Sequence, residues 1–144
     1  MLTTLLALAL AHPADAAPKT LILPDDSQAR AFFENYGFVE AVVRGDTVWL
    51  SGVVAGEREG VTMEQSIVAT FDYAGTVLER AGFGWGDVVD ITTYHVDLPA
   101  SIDSVSAVKF RYIPDGGHAW TAIDVDRLYP DNAIVEIKIT AVKD

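Results

Sequence analysis

The stretch TMEQSIVATFDYAGTVLERAGFGWGDVVDITTYHV, residues 62–96, contains one helix-to-strand unit. Thr62 followed by Gln65 is a Thr-x-x-Gln capping box, in which each side chain satisfies a backbone N–H of the other at a helix start. Ile67, Phe71, Ala74, Val77, Leu78 and Ala81 then recur at helical spacing, which gathers them on one face. Gly82 stops the helix, since glycine enters the left-handed region at a helix end at little cost. From residue 88 the character changes. Val88, Val89, Ile91, Thr92, Thr93 and Val96 are β-branched and read as a long strand.

Further elements lie on both sides. Gly45-Asp46 reads as a hairpin turn between strand-like residues 38–44 and a returning strand over 47–51, closed by Gly52. Before it, Leu21-Ile22-Leu23 and Pro24 read as a short edge strand. Asp25, Asp26 and Ser27 can cap a short helix through Ala29, Phe32 and Phe33, ending near Asn35-Tyr36-Gly37. Residues 57–60 read as a polar loop. Beyond the first strand, Ser101 can cap a helix through Ile102, Val105, Val108 and Tyr112, broken by Pro114-Asp115-Gly116-Gly117. Residues 120–125 and 134–142 read as two more strands. The order predicts an α+β layer, two helices covering one face of a mixed sheet. Trp49, Val135, Ile137 and Ile139 read as too many apolar side chains for that one face. A second apolar face would be buried against other subunits, so a homo-oligomer is expected.

Composition narrows the function classes. The chain has 144 residues, half of them hydrophobic and 22% charged, which fits one globular domain with a real core. It has no cysteine, so disulfides and thiol chemistry are excluded. Ten Lys and Arg against 21 Asp and Glu give a net charge of −11. So acidic a protein repels phosphate backbones, and no nucleic-acid partner is expected. Three scattered histidines and no calcium-loop pattern give no metal site. No phosphate-binding loop, dinucleotide fingerprint or G-x-S-x-G elbow occurs, and no cofactor is expected.

The N-terminus stands apart. Residues 2–11 are apolar apart from Thr3 and Thr4, too short a run to span a bilayer. Ala14-Asp15-Ala16 fits a signal-peptidase site, although no Lys or Arg precedes the run. The expected division is a signal peptide over 1–16, an arm and short helix over 17–35, and one domain over 36–144. This implies a periplasmic or secreted protein cleaved near Ala16. The other reading is an apolar arm that packs on a partner, in a cytoplasmic protein.

Several of these motifs together resemble the Rid family, also called the YjgF/YER057c/UK114 family. They are Gly45-Asp46-Thr47-Val48-Trp49-Leu50-Ser51-Gly52, the helix ending in Ala81-Gly82, Asp87-Val88-Val89 leading into its strand, and Val135-Glu136-Ile137-Lys138-Ile139-Thr140-Ala141. The resemblance runs from about Tyr36 to the end. It implies a chorismate-mutase-like α+β fold and a homotrimer with small-molecule clefts between subunits.

The resemblance also implies a chemistry, hydrolysis of reactive imines and enamines. Family members grip the substrate carboxylate with an arginine, a bidentate clamp, and use a glutamate with water. The glutamate position corresponds to Glu136, the candidate general acid or base; it could equally pair with Lys138 or with a charge on a neighbouring strand. Trp120 stands where the arginine is expected, and a tryptophan has no charge with which to clamp a carboxylate. Trp120 either fills core space or lines a cleft suited to aromatic, apolar or cationic ligands. Ser106 replaces the usual helix asparagine and Val53 the polar residue after Ser-Gly, while Ala122 replaces a frequent cysteine. Tyr36 matches the family's cleft tyrosine, or packs at a turn. His118 either restores positive charge or is a solvated loop residue. Lys109 and Arg111 are expected to be exposed, and His95 to pack in the core or an interface. Backbone N–H groups of the 51–52 and 116–120 loops are candidate polarisers of substrate. Three readings follow: an imine or enamine hydrolase with altered substrate preference, a non-catalytic binding or interaction trimer, and, third, a ribonuclease.

Overall fold

A computed structural model describes residues 17–144. The signal-peptide reading of residues 1–16 lies outside the described residues. The elements run β1 (Lys19–Ile22), α1 (Ser27–Tyr36), β2 (Ala41–Arg44), β3 (Thr47–Leu50), β4 (Val53–Gly56), α2 (Met63–Arg80), a short 3-10 turn (Trp85–Asp87), β5 (Val88–His95), α3 (Leu98–Tyr112), β6 (Ala119–Asp124) and β7 (Ala133–Val142).

The strands form one sheet in the order β1-β2-β3-β7-β5-β6, with β4 also paired to β7. All pairs are antiparallel except β5–β6. β3 pairs with the C-terminal end of β7 and β4 with its N-terminal half. The chain breaks between them at Ser51-Gly52, and that break positions the candidate site.

Capping and periodicity hold as expected in α2. Gln65 N–H donates to Thr62 Oγ1 and Thr62 N–H to Gln65 Oε1, at 3.2 and 2.8 Å. Ile67, Phe71, Ala74, Val77 and Leu78 are buried, and Gly82 has φ +81°. Each large apolar side chain so buried contributes about 1.5–3 kcal/mol. In α3 the cap differs from expectation. Asp97, not Ser101, caps it, accepting from Ala100 N–H at 3.1 Å. Pro99 fits the first turn, where its missing N–H costs nothing. Ser101 is buried inside the helix instead.

Helices α2 and α3 cover one sheet face, as expected. Val135, Ile137, Ile139 and Ala141 all point to it and are buried. This corrects the strand-face argument: residues two apart share a face, so the three β7 residues sit together. Only Trp49, 43% exposed, lies opposite. That open face is mixed, with Glu136, Lys138 and Thr140 beside Trp49, Val42 and Tyr94. The one unexpected strand is β4, where Val53 and Ala55 face the helices and Val54 the open side.

Candidate functional site

Glu136 decides where the site is. It pairs across the sheet with Tyr94 on one side and Val54 on the other, so its side chain rises from the middle of the open face. The carboxylate is half-buried and takes part in none of the side-chain hydrogen bonds or ion pairs among the described residues. The expected alternative, a pair with Lys138, does not form.

Gly52 explains how the carboxylate fits. A Cβ there would overlap Glu136 Oε1 and come within 2.5 Å of Cδ. The break between β3 and β4 is therefore the seat of the glutamate. Ser51 is less available than expected. Its N–H donates to Glu40 O at 2.8 Å and its hydroxyl to Val39 O at 2.6 Å. Gly52 N–H takes part in none of the backbone hydrogen bonds of the described turns and loops. Gly52→Ala is expected to push the carboxylate from its seat without unfolding the chain, because the obstructing atoms end a flexible side chain. Where Glu136 acts as an acid or base, turnover should fall by about 10²-fold, the scale of a small misplacement of a reacting group, with the thermal midpoint within about 4 °C of wild type. Paired rate and melting measurements check this.

A groove of about 570 Å³ opens over Glu136. Phe32, Phe33 and Tyr36 of α1 wall it with Phe38, Val54 and Tyr129. Asp26 caps α1 through Ala29 N–H at 2.8 Å, and Gly37 ends it at φ +71°. The Tyr36 and Tyr129 hydroxyls meet at 2.9 Å, bridging α1 to the β6–β7 loop. That hydrogen bond pushes the Tyr129 phenol above its ordinary value. Tyr36 is thus brought to one groove with Glu136, Ser51 and Gly52. Phe32, Phe33, Phe38, Val54 and Tyr129 were not anticipated. The only sequence signal was the density of aromatics over 32–38, which reads equally as packing of a short helix.

Three other expected site residues lie elsewhere. Trp120 pairs with the buried Ile91 and points to the helix face, opposite Glu136. Within one protomer the two form no common cleft, because the sheet separates them. Ser106 is on α3, and neither it nor His118 lines the groove. His118 has a buried Nδ1 with no partner. No residue of the 116–120 loop is among those that line the groove. Lys109, expected to be exposed, is 5% exposed. Its ammonium lies 4.6 Å from the Phe110 ring centroid and 4.8 Å from that of Trp120, and burial lowers its pKa. Arg111 is exposed and pairs with Glu64.

Trp120 has a structural task. Its Nε1–H donates to Thr93 Oγ1 at 3.0 Å, and Thr93 meets His95 Nε2 at 2.8 Å. His95 Nδ1 meets Ser101 Oγ at 2.7 Å, and Ser101 donates to Asp97 O at 2.6 Å. The donors run one way along this chain if His95 is neutral with its proton on Nδ1. His95 is therefore core, as expected, and burial lowers its pKa despite the opposing charge of Asp124. An unfolded histidine titrates near 6.5, so on acidification protons load the unfolded chain first. Stability from neutral His95 is complete above that pH and is lost as pH falls through the depressed folded value. Moving from about pH 7.5 to about pH 5.5 should lower the urea midpoint more in wild type than in His95→Gln.

Among the described residues no cluster of His, Asp and Glu converges to hold a metal ion, and no helix is long and apolar enough to cross a membrane.

Residues 29–143 match the Endoribonuclease L-PSP family. The chain belongs to this family, the Rid family. The RutC family protein YjgH of Escherichia coli (strain K12) is 23% identical over 111 residues, 74% of this chain and 83% of YjgH. Rv2704 of Mycobacterium tuberculosis, a YjgF/YER057c/UK114 member, superposes with a TM-score of 0.75 at 21% identity, over 88% of this chain and all of that one. E. coli TdcF with bound serine superposes with a TM-score of 0.66 at 19% identity, over 74% of this chain and 88% of TdcF. The Rid fold accounts for the α2–α3 layer and for the strand that carries Glu136.

Proposed function

We propose that this Rid protein hydrolyses small imines or enamines in the groove over Glu136. The observation that carries the reading is an unpaired, half-buried carboxylate at the floor of a mostly apolar groove. There it can take a proton from water as the oxygen attacks the C=N carbon, then return it to nitrogen. An iminium and water give a carbonyl compound and ammonium, with the charge unchanged. In this reading the Gly52 N–H holds the attacking water or the developing oxyanion. The serine in TdcF supports a small-molecule ligand.

The assembly we propose is a homotrimer, with clefts completed by neighbouring subunits. We also propose export with cleavage near Ala16, to be checked by mass measurement of the mature chain. A binding trimer without turnover is the second reading, favoured by the absence of any basic residue from the groove. The net charge of −11 weighs against RNA cleavage.

The test supplies imines from an amino-acid oxidase and from an amine oxidase and follows ammonia release. Acceleration by the purified protein supports the enzyme. No acceleration with any imine replaces it by the binding reading.

A further inference from the structure

The walls of the groove dictate what can occupy it. The Phe32 and Tyr36 rings lie 4.8 Å apart, Phe33 and Phe38 4.4 Å, and Tyr129 meets Tyr36 edge-on at 6.0 Å. Aromatic faces carry a negative quadrupole that attracts cations within about 6 Å of the ring. Glu136 adds a full negative charge. No Lys, Arg or His is among the described residues that line it. Lys138, two residues along the same strand face, lines the adjoining depression with Trp49, Tyr94 and Glu136 itself, and is exposed.

The geometry points to an organic cation as the occupant: an ammonium or iminium with an apolar or aromatic body and no carboxylate. This rests on the groove being the small-molecule site, and it names the substrate class. An anion would meet the Glu136 carboxylate in a half-desolvated groove, with Lys138 outside that groove's lining and exposed to solvent. A cation places its apolar body against the rings and its charge toward Glu136. The diffuse charge of −11 enriches cations around the whole protein, but only Glu136 and the rings fix one here.

Calorimetric titration of the full protein with phenethylammonium, 2-phenylethanol and phenylacetate tests this, because the three share a body and differ in charge. The ammonium is expected to bind at least about tenfold tighter than the alcohol, with phenylacetate weakest. In Glu136→Gln the ammonium and the alcohol should come within about threefold of each other. In Tyr36→Leu both should weaken. Phenylacetate binding as tightly as the ammonium would overturn the inference. So would an ammonium preference that survives Glu136→Gln, which the diffuse charge would then explain, or failure of the ammonium to bind. Since no turnover is involved, the two readings separate. Cation preference without imine hydrolysis removes the enzyme and keeps the ligand class. Hydrolysis without cation preference does the reverse.

Discussion

Arg80→Ala should destabilise the protein by about 3–5 kcal/mol, the cost of leaving a buried charge without its partner. Glu40 is 4% exposed, and its carboxylate is held by Arg80 Nη2 and by the Tyr73 hydroxyl. Burial and the neighbouring Glu40 carboxylate push the Tyr73 phenol up to about 12, so Tyr73 stays a donor. Arg80 also donates through Nη1 to Leu23 O at 2.6 Å, tying α2 to the segment that leads into α1. Without the guanidinium, Glu40 keeps a single hydroxyl in a desolvated place. Replacing both Glu40 and Arg80 by leucine should cost less than removing Arg80 alone, because the apolar pair strands no charge. Denaturant midpoints at one protein concentration measure both, since assembly would otherwise shift them. A loss in Arg80→Ala below about 1 kcal/mol would mean that water reaches the carboxylate.

Much of the fold was legible because local signals and the fold agreed. The Thr62–Gln65 capping box, the α2 stripe and Gly82 are local chemistry, and each appears as read. Local reading failed where two elements competed. Ser101 is a good cap in isolation, but Asp97 lies four residues earlier and leaves Ser101 free to hold His95. β4 is only four residues long and ends in glycine, so no periodicity separates it from the loop that follows.

The site was legible in part. Glu136, Tyr36, Ser51 and Gly52 do come together. Their meeting depends on β7 pairing with both β3 and β4, a long-range register that no local pattern encodes. Which of its two readings Trp120 takes within a protomer was not legible for the same reason. Alternation shows that it faces opposite to Thr121, but which face receives α3 is settled only by the pairing of β5 with β6 and β7. Lys109 was read as exposed because lysine usually is. Its stem instead packs beneath α3 with the ammonium against two rings.

Glu136→Gln should lower imine hydrolysis by about 10²–10⁴-fold, the usual contribution of a positioned acid–base group. The amide keeps the shape and the fit against Gly52 but cannot take up a proton at neutral pH. Because the carboxylate carries no ion pair, folding should be nearly unchanged, and a lost rate cannot be blamed on unfolding. The direct test is the initial rate of ammonia release from one imine by wild type and Glu136→Gln, run in parallel at equal folded concentration. Acceleration by wild type and a rate close to the uncatalysed one for the variant are expected. Equal acceleration by both would contradict it.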